Sequence, residues 1–221
     1  MNLILTTDKK EKIEKYLRLL ISSKHNLTAI KDLSEAYQKH FLDVALPLSN
    51  ILLEGDFIDI GTGGGVPGVL CAILFPDSRW TLLDSVRKKV QEVERFVNEL
   101  GLTNVRVLHQ RVEEHAKTCK CGYDGAFLRA VTRADICLEY AAPLLRMNGK
   151  VYLYKGPSWQ NEKSFADIAA ELLGLSFEQT IRYQLEDGSN RNLIIYKKIK
   201  ETPVKYPRRV GLALKRPLGG N

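Results

Sequence analysis

The chain has 221 residues, a formal net charge of +7 and a hydrophobic fraction of 44%. That length favours one domain with room for an extension, and it can bury a core without staples. The longest apolar run, residues 69–75, is too short to span a bilayer, and the four cysteines, Cys71, Cys119, Cys121 and Cys137, make no disulfide framework, so a membrane span and a secreted disulfide scaffold are set aside.

Leu3–Leu5 followed by charges lacks the apolar region of a signal peptide, so a cytoplasmic setting is expected. The basic balance suits a polyanion such as RNA, and equally an enzyme with a lysine-rich surface.

Residues 8 to about 23 predict an amphipathic helix, with Ile13, Leu17, Leu20 and Ile21 at helical spacing. A second helix is predicted from an Asp32 N-cap toward Pro47, with Tyr37, Phe41 and Val44 as its apolar stripe. His40 and Asp43 lie three apart and share a face of it.

From Asp56 onward, strand and helix alternate. Predicted strands cover 56–60, 79–84, 105–108, 125–128 and 150–154, and predicted helices 66–75, 86–100, 133–146 and 160–173. Between the third and fourth strands, residues 111–114 predict one helical turn at most. Two strands then follow directly, at 176–185 and 193–196, joined by Asp187-Gly188-Ser189-Asn190. Asp-Gly between β-rich runs signals a hairpin. The expected fold is α/β: a doubly wound, mostly parallel seven-stranded sheet that ends in an antiparallel hairpin. The expected division is an N-terminal helical extension over 1–50, a nucleotide-cofactor domain over 51–200 and a basic, proline-punctuated tail over 201–221. That tail sets Lys205, Arg208, Arg209, Lys215 and Arg216 against Glu201 alone, which suits an RNA-contacting arm that orders on binding, or a solvated end.

The chemistry centres on Phe57-Ile58-Asp59-Ile60-Gly61-Thr62-Gly63-Gly64-Gly65-Val66-Pro67-Gly68, which reads as strand, glycine turn and helix start. Glycines at 61, 63 and 65 let the backbone turn tightly and approach a ligand. Asp84 ends the next strand, where a carboxylate accepts hydrogen bonds from ribose hydroxyls. Each acid has a plainer reading: Asp59 caps the turn, and Asp84 caps the helix near Val86. Gly63-x-Gly65-x-x-Gly68 literally matches the dinucleotide fingerprint. S-adenosylmethionine fits better. Asp59 lies two residues before Gly61, where a pyrophosphate would be repelled and an ammonium welcomed, and the terminal hairpin belongs to the methyltransferase sheet order.

The residues after strand four, Leu128-Arg129-Ala130-Val131, hold no Asp/Asn-Pro-Pro-aromatic run for an exocyclic amine. Cys137 falls inside a helix and reads as a small hydrophobe, not a nucleophile. An acceptor that is already nucleophilic, such as guanine N7, needs no general base. A small-molecule methyltransferase and a non-catalytic dinucleotide-binding module stay open on residues alone. Cys119-x-Cys121 with His115 has poor spacing for zinc, and no metal site is expected.

Asn26-Leu27-Thr28-Ala29-Ile30, His40-Phe41-Leu42-Asp43, the glycine turn, Thr81-Leu82-Leu83-Asp84-Ser85, Arg111-Val112-Glu113-Glu114, Phe127-Leu128-Arg129-Ala130, Lys155-Gly156 and Tyr206-Pro207-Arg208-Arg209-Val210-Gly211 occur in this order. On these segments the chain resembles the bacterial small-subunit rRNA guanine-N7 methyltransferases (the RsmG, or GidB, family). The resemblance implies a Rossmann-like class I methyltransferase that uses S-adenosylmethionine to methylate guanine N7 in the decoding-region loop of 16S rRNA. It implies cofactor contacts at Gly61, Val66, Val112, Glu113 and Arg129, beside Asp84 at the ribose and the turn residues Asp59, Gly63 and Gly65. It puts His40, Asp43, Lys155, Arg208 and Arg209 on the RNA side, with Arg129 and Lys155 as positioning residues. The implied partner is 16S rRNA, free or in a small subunit or its precursor; a monomer is expected. Gly64 stands where the family often has proline, and Val66 where it often has leucine.

Overall fold

The computed structural model describes residues 5–220, so Leu3 and Ile4 of the N-terminal reading fall outside it. Helix α1 (Thr7–Ser22) begins where the Thr6 hydroxyl accepts the Lys9 amide, and buries Ile13, Tyr16, Leu17 and Leu20. Asp32 caps the next helical stretch as expected, its carboxylate accepting the Glu35 amide at 2.8 Å. That stretch is not uniform. It runs as α2 (Leu33–Ala36), a π-helical segment (Tyr37–Leu42) and α3 (Asp43–Leu48). The wider π turn shifts the apolar stripe, so Phe41 and Val44 are buried while Tyr37 stays 40% exposed against the Phe41 ring.

The sheet contains β1 (Asp56–Ile60), β2 (Arg79–Asp84), β3 (Val105–His109), β4 (Tyr123–Arg129), β5 (Leu145–Lys155), β6 (Leu175–Gln184) and β7 (Asn190–Lys198). Its order is β3-β2-β1-β4-β5-β7-β6. The first five strands pair parallel, and β7 enters antiparallel between β5 and β6. The crossover helices are α4 (Gly68–Leu74), α5 (Arg87–Glu99), α6 (Val112–Thr118), α7 (Ala134–Ala141) and α8 (Lys163–Leu173). Helix α6 continues past the single turn predicted for it, and β5 starts five residues before its predicted first residue. Both differences lie beside connections with little apolar periodicity.

Side chains alternate across the strands, so the sheet carries a core on each face. Phe57, Phe127, Tyr152 and Ile195 point to the face covered by α1, α3, α4 and α5. Ile58, Ala126, Val151 and Ile194 point to the face covered by α6, α7 and α8. On the first face Phe57 stacks on Trp80, and Phe127 stacks on Tyr152, with ring centroids 5.0 Å and 4.3 Å apart. The tail belongs to the second face: Tyr206 and Ala213 are buried there, Ala213 in a short helix α9 (Leu212–Lys215). The reading of this tail as a solvated or binding-ordered end therefore gives way to a docked segment, because buried acids on α6 and α7 receive it.

Helix α1 reaches the glycine turn directly. The Tyr16 hydroxyl, fully buried, donates to the Gly64 carbonyl at 2.9 Å, and its ring meets Phe96 edge-on. Tyr16→Phe keeps the ring packing and strands the buried carbonyl. The expected loss is about 1–3 kcal/mol of unfolding free energy, read by urea denaturation. An unchanged midpoint would show that the turn does not lean on this helix.

Candidate functional site

Two carboxylates hold the turn between β1 and α4. Asp59 is buried beneath it; its Oδ2 accepts the Thr62 hydroxyl at 2.6 Å and the Gly68 amide at 3.0 Å. Asp84 lies beside it; its Oδ2 accepts the Gly63 amide at 3.0 Å and its Oδ1 the Val86 amide at 2.8 Å. The Leu83 carbonyl accepts both the Gly61 and the Thr62 amides. So Asp59 caps the turn, as its plainer reading had it, whereas Asp84 is not the N-cap of α5: that position is Val86, and Asp84 holds the Val86 and Gly63 amides while facing a cavity. Burial raises the Asp59 carboxyl to about 6, against the pull of its two donors, and its Oδ1 is buried without a partner.

The glycines are needed where they stand. Gly61, Gly63 and Gly65 have φ of 73°, 59° and 98°. A Cβ on Gly68 would come within 2.1 Å of Leu82, so only glycine lets α4 start this close to the strand.

Over the turn lies a cavity of about 180 Å³. Gly61 forms its floor, Asp84 one wall, and Val112 and Glu113 another, with Val131 and Tyr140 opposite. The fit to a nucleoside rests on the acceptor capacity that the two carboxylates keep. Each Asp84 oxygen accepts one backbone N–H and keeps lone-pair capacity for a hydroxyl. Glu113 gives Oε1 to the Gly211 amide at 3.1 Å and leaves Oε2 unpartnered among the described residues. An apolar slot walled by two carboxylates suits a ribose and an amine-bearing base, and it offers no cationic cradle for a pyrophosphate beyond Arg111. Val66 and Asp59 do not line this cavity, and Gly63 and Gly65 shape it through the turn.

A second cleft of about 310 Å³ opens where β4 and β5 end. Asp43, Arg129, Lys155, Tyr183 and Arg191 line it. Arg129 donates through Nε to Asp43 Oδ2 at 3.0 Å and through its terminal nitrogen to the Lys39 carbonyl. The Tyr183 hydroxyl donates to Asp43 Oδ1 at 2.8 Å, and Arg191 Nε stands 3.7 Å from the same oxygen. Lys155 donates to the Thr132 carbonyl and pairs with Glu162 at 2.8 Å. The two sites are neighbours along the chain: Ala130 lines the cleft and Val131 the cavity. Ala130 makes that turn in the left-handed region at φ 56°, a conformation that costs a non-glycine residue about 1 kcal/mol or more.

The structure thus gathers Asp43, Arg129 and Lys155 at one cleft and Gly61, Asp84, Val112 and Glu113 at the other. Arg129 sits in the cleft, not in the cavity. His40 stands behind the cleft, buried, with Nε2 at 2.9 Å from the Thr28 hydroxyl. Arg208 is paired with Glu139, and Arg209 is exposed. Sequence reasoning missed Tyr16, Tyr183, Arg191 and the tail residues Gly211 and Leu214. Arg191 follows the hairpin turn, where a lone arginine looks like any solvated charge. Cys137 is buried in α7, and burial pushes its thiol up to about 11, which suits a packing role.

A family model described as GidB, rRNA small subunit methyltransferase G, matches residues 9–194. The chain is 42% identical over 208 residues to ribosomal RNA small subunit methyltransferase G of Thermotoga neapolitana, covering 94% of this chain and 91% of that one. It is 43% identical over 218 residues to the protein of the same name from Carboxydothermus hydrogenoformans, covering 95% and 93%. Among solved structures, precorrin-6y C5,15-methyltransferase from Geobacter metallireducens superposes with a TM-score of 0.56 at 16% identity, over 81% of this chain and 94% of that one, a likeness of fold.

Burial lowers the His40 pKa from 6.5 to about 4, with the Arg129 charge acting in the same direction and Glu35 opposing it. An unfolded His40 takes a proton near 6.5 and the folded one resists, so its contribution to stability is full above that pH and falls as pH drops toward 4. Against the non-titrating His40→Gln, wild type is expected to lose about 1–2 kcal/mol of relative stability between pH 7 and pH 5 in urea unfolding. A difference that stays constant with pH would contradict a buried neutral imidazole.

Proposed function

This chain belongs to the GidB family, rRNA small subunit methyltransferase G, and on that premise we infer that its cavity and its cleft are the cofactor site and the acceptor site. It is an S-adenosylmethionine-dependent enzyme that acts on small-subunit rRNA. The reading that the site supports best is methylation of guanine N7 in the decoding-region loop of 16S rRNA.

One observation carries that reading. Asp43 is the only acid among the cleft-lining residues, and both of its oxygens already accept hydrogen bonds from Arg129 and Tyr183. Among the described residues, therefore, no carboxylate without an ion-pair partner faces the acceptor. Guanine N7 has a lone pair and no proton to lose, so it needs no base. S-adenosylmethionine, when bound, supplies a methyl group on a cationic sulfur.

The chain's own work is placement. Asp84 accepts from the ribose hydroxyls, Glu113 and Val112 meet the base, and the Gly61 backbone passes close beneath. Arg129, Lys155 and Arg191 bring three cations to the mouth of the cleft, against phosphate and the guanine edge, with His40 and Asp43 holding the wall behind them. Positioning of this kind can contribute about 7–11 kcal/mol to a bimolecular step. The exposed Arg209 extends the basic surface. Residues 51–200 serve as the cofactor domain, with 1–50 as a helical extension bearing on its glycine turn.

Among the described residues no helix is long and apolar enough to cross a membrane. We place the protein in the cytoplasm, as a monomer acting on 16S rRNA or a small-subunit particle.

Asp84→Ala removes a charged acceptor from two neutral ribose hydroxyls and is expected to weaken S-adenosylhomocysteine binding about 100-fold in calorimetry, while Arg191→Ala leaves that affinity intact. Equal binding by Asp84→Ala would take the carboxylate out of the ribose site. For the reaction itself, deletion of the gene in its host is expected to erase one 7-methylguanosine from 16S rRNA, mapped by reverse transcription after chemical cleavage. An unaltered modification map would reject the assignment.

A further inference from the structure

The basic tail is anchored by buried acids on the far side of the cofactor cavity. Glu139 of α7 is 1% exposed; it accepts Arg208 through Nε at 2.8 Å and through the backbone amide at 3.1 Å. Asp135, also buried on α7, accepts the Gly219 amide at 3.1 Å and pairs with Arg133. Glu113 of α6, a cavity wall, accepts the Gly211 amide at 3.1 Å. Three carboxylates would lose a donor if the tail lifted, and a buried acid that loses its partner is costly. Between the Arg208 and Gly219 anchors, Gly211 and Leu214 line the cofactor cavity itself.

We propose that residues 206–219 close the adenine end of the cofactor cavity, with Leu214 as the covering side chain and the Arg208–Glu139 pair as the latch. The proposal rests on the assignment of that cavity to S-adenosylmethionine. It gives Arg208 a task other than phosphate contact and leaves the exposed Arg209, Lys215 and Arg216 to face RNA. Gly211 belongs to this arrangement. At φ 76° it turns the chain so that its amide meets Glu113 and α9 can bring Leu214 over the slot. Glu113 then divides its carboxylate, one oxygen on the tail and the other open to the ligand, so tail docking and base recognition meet at one side chain.

Leu214 is 56% exposed, so replacing it removes little from the fold itself. Arg208→Gln, by contrast, strips a partner from buried Glu139 and would test folding as much as binding. The decisive variant is therefore Leu214→Asp in the full chain, with Leu214→Met as the conservative control. Calorimetry without RNA should show S-adenosylhomocysteine affinity reduced about tenfold or more in Leu214→Asp and restored in Leu214→Met, because an apolar contact and not mere bulk is at stake. The ligand-free melting temperature and the affinity for a 16S rRNA fragment without cofactor should stay at wild-type values. Wild-type cofactor affinity in Leu214→Asp, or a loss confined to RNA binding, would overturn the proposal. A wild-type protein that does not bind S-adenosylhomocysteine would instead refute the cavity assignment on which it rests.

Discussion

The backbone amides of the turn after β1 are held by two acids, and the rest of the site depends on that hold. Asp59 fixes the Gly68 amide and the Thr62 hydroxyl from below, and Asp84 fixes the Gly63 amide from the side. A glycine-rich segment loses more conformational freedom on folding than any other, so it needs such partners to keep one shape. With the turn held, Gly61 can form a cavity floor instead of sampling many. The acids are costly in themselves: Asp59 is buried among apolar neighbours, which lifts its carboxyl to about 6. A cost placed at a functional turn and met by the surrounding structure is the usual pattern for strain at sites.

The second constraint is at the end of β4. One residue, Ala130, turns the chain so that its two neighbours serve two sites, Arg129 the cleft and Val131 the cavity. Transfer between two bound molecules requires such a common wall, since the reacting atoms must come within contact distance. The charges are divided accordingly. The cavity carries acids, suited to hydroxyls, amines and a cationic ligand. The cleft carries Arg129 and Arg191 about Asp43, and Lys155 paired with Glu162, a set of donors suited to a polar, anionic partner.

Much of this was legible from residues, because strands and helices with one buried face carry periodic apolar residues. The sheet and its final hairpin followed from period-two runs, Asp187-Gly188 and the helix-stopping Gly101 and Gly174, all seen in place. Asp84 ends β2 and Glu113 opens α6 just past β3, and both line the cavity over the turn. What escaped was set by long-range partners. Tyr16 reads as one more apolar position of α1, and only its hydroxyl distinguishes it. The π turn cannot be read from spacing, since its extra residue is invisible until the backbone is closed. The tail misled by its prolines and charge, which look solvated. Its counterpart was nevertheless written in α7: Asp135 and Glu139 sit one turn apart in a helix whose every residue is buried, and buried acids demand donors. Arg208 and the Gly219 amide are those donors.

The position of β7 bears on how the chain is made. This strand lies between β5 and β6, so β5 exposes a bare edge until residues 190–198 have been synthesised, and the cavity lacks a wall until Gly211 and Leu214 follow. A nascent chain can pair β1 with β2 and β2 with β3 early, from strands consecutive in sequence, whereas β4 must reach back to β1 and the wall at Gly211 and Leu214 comes last. Chains interrupted before residue 190 carry an open, apolar margin at β5, the kind of edge that invites pairing with another chain.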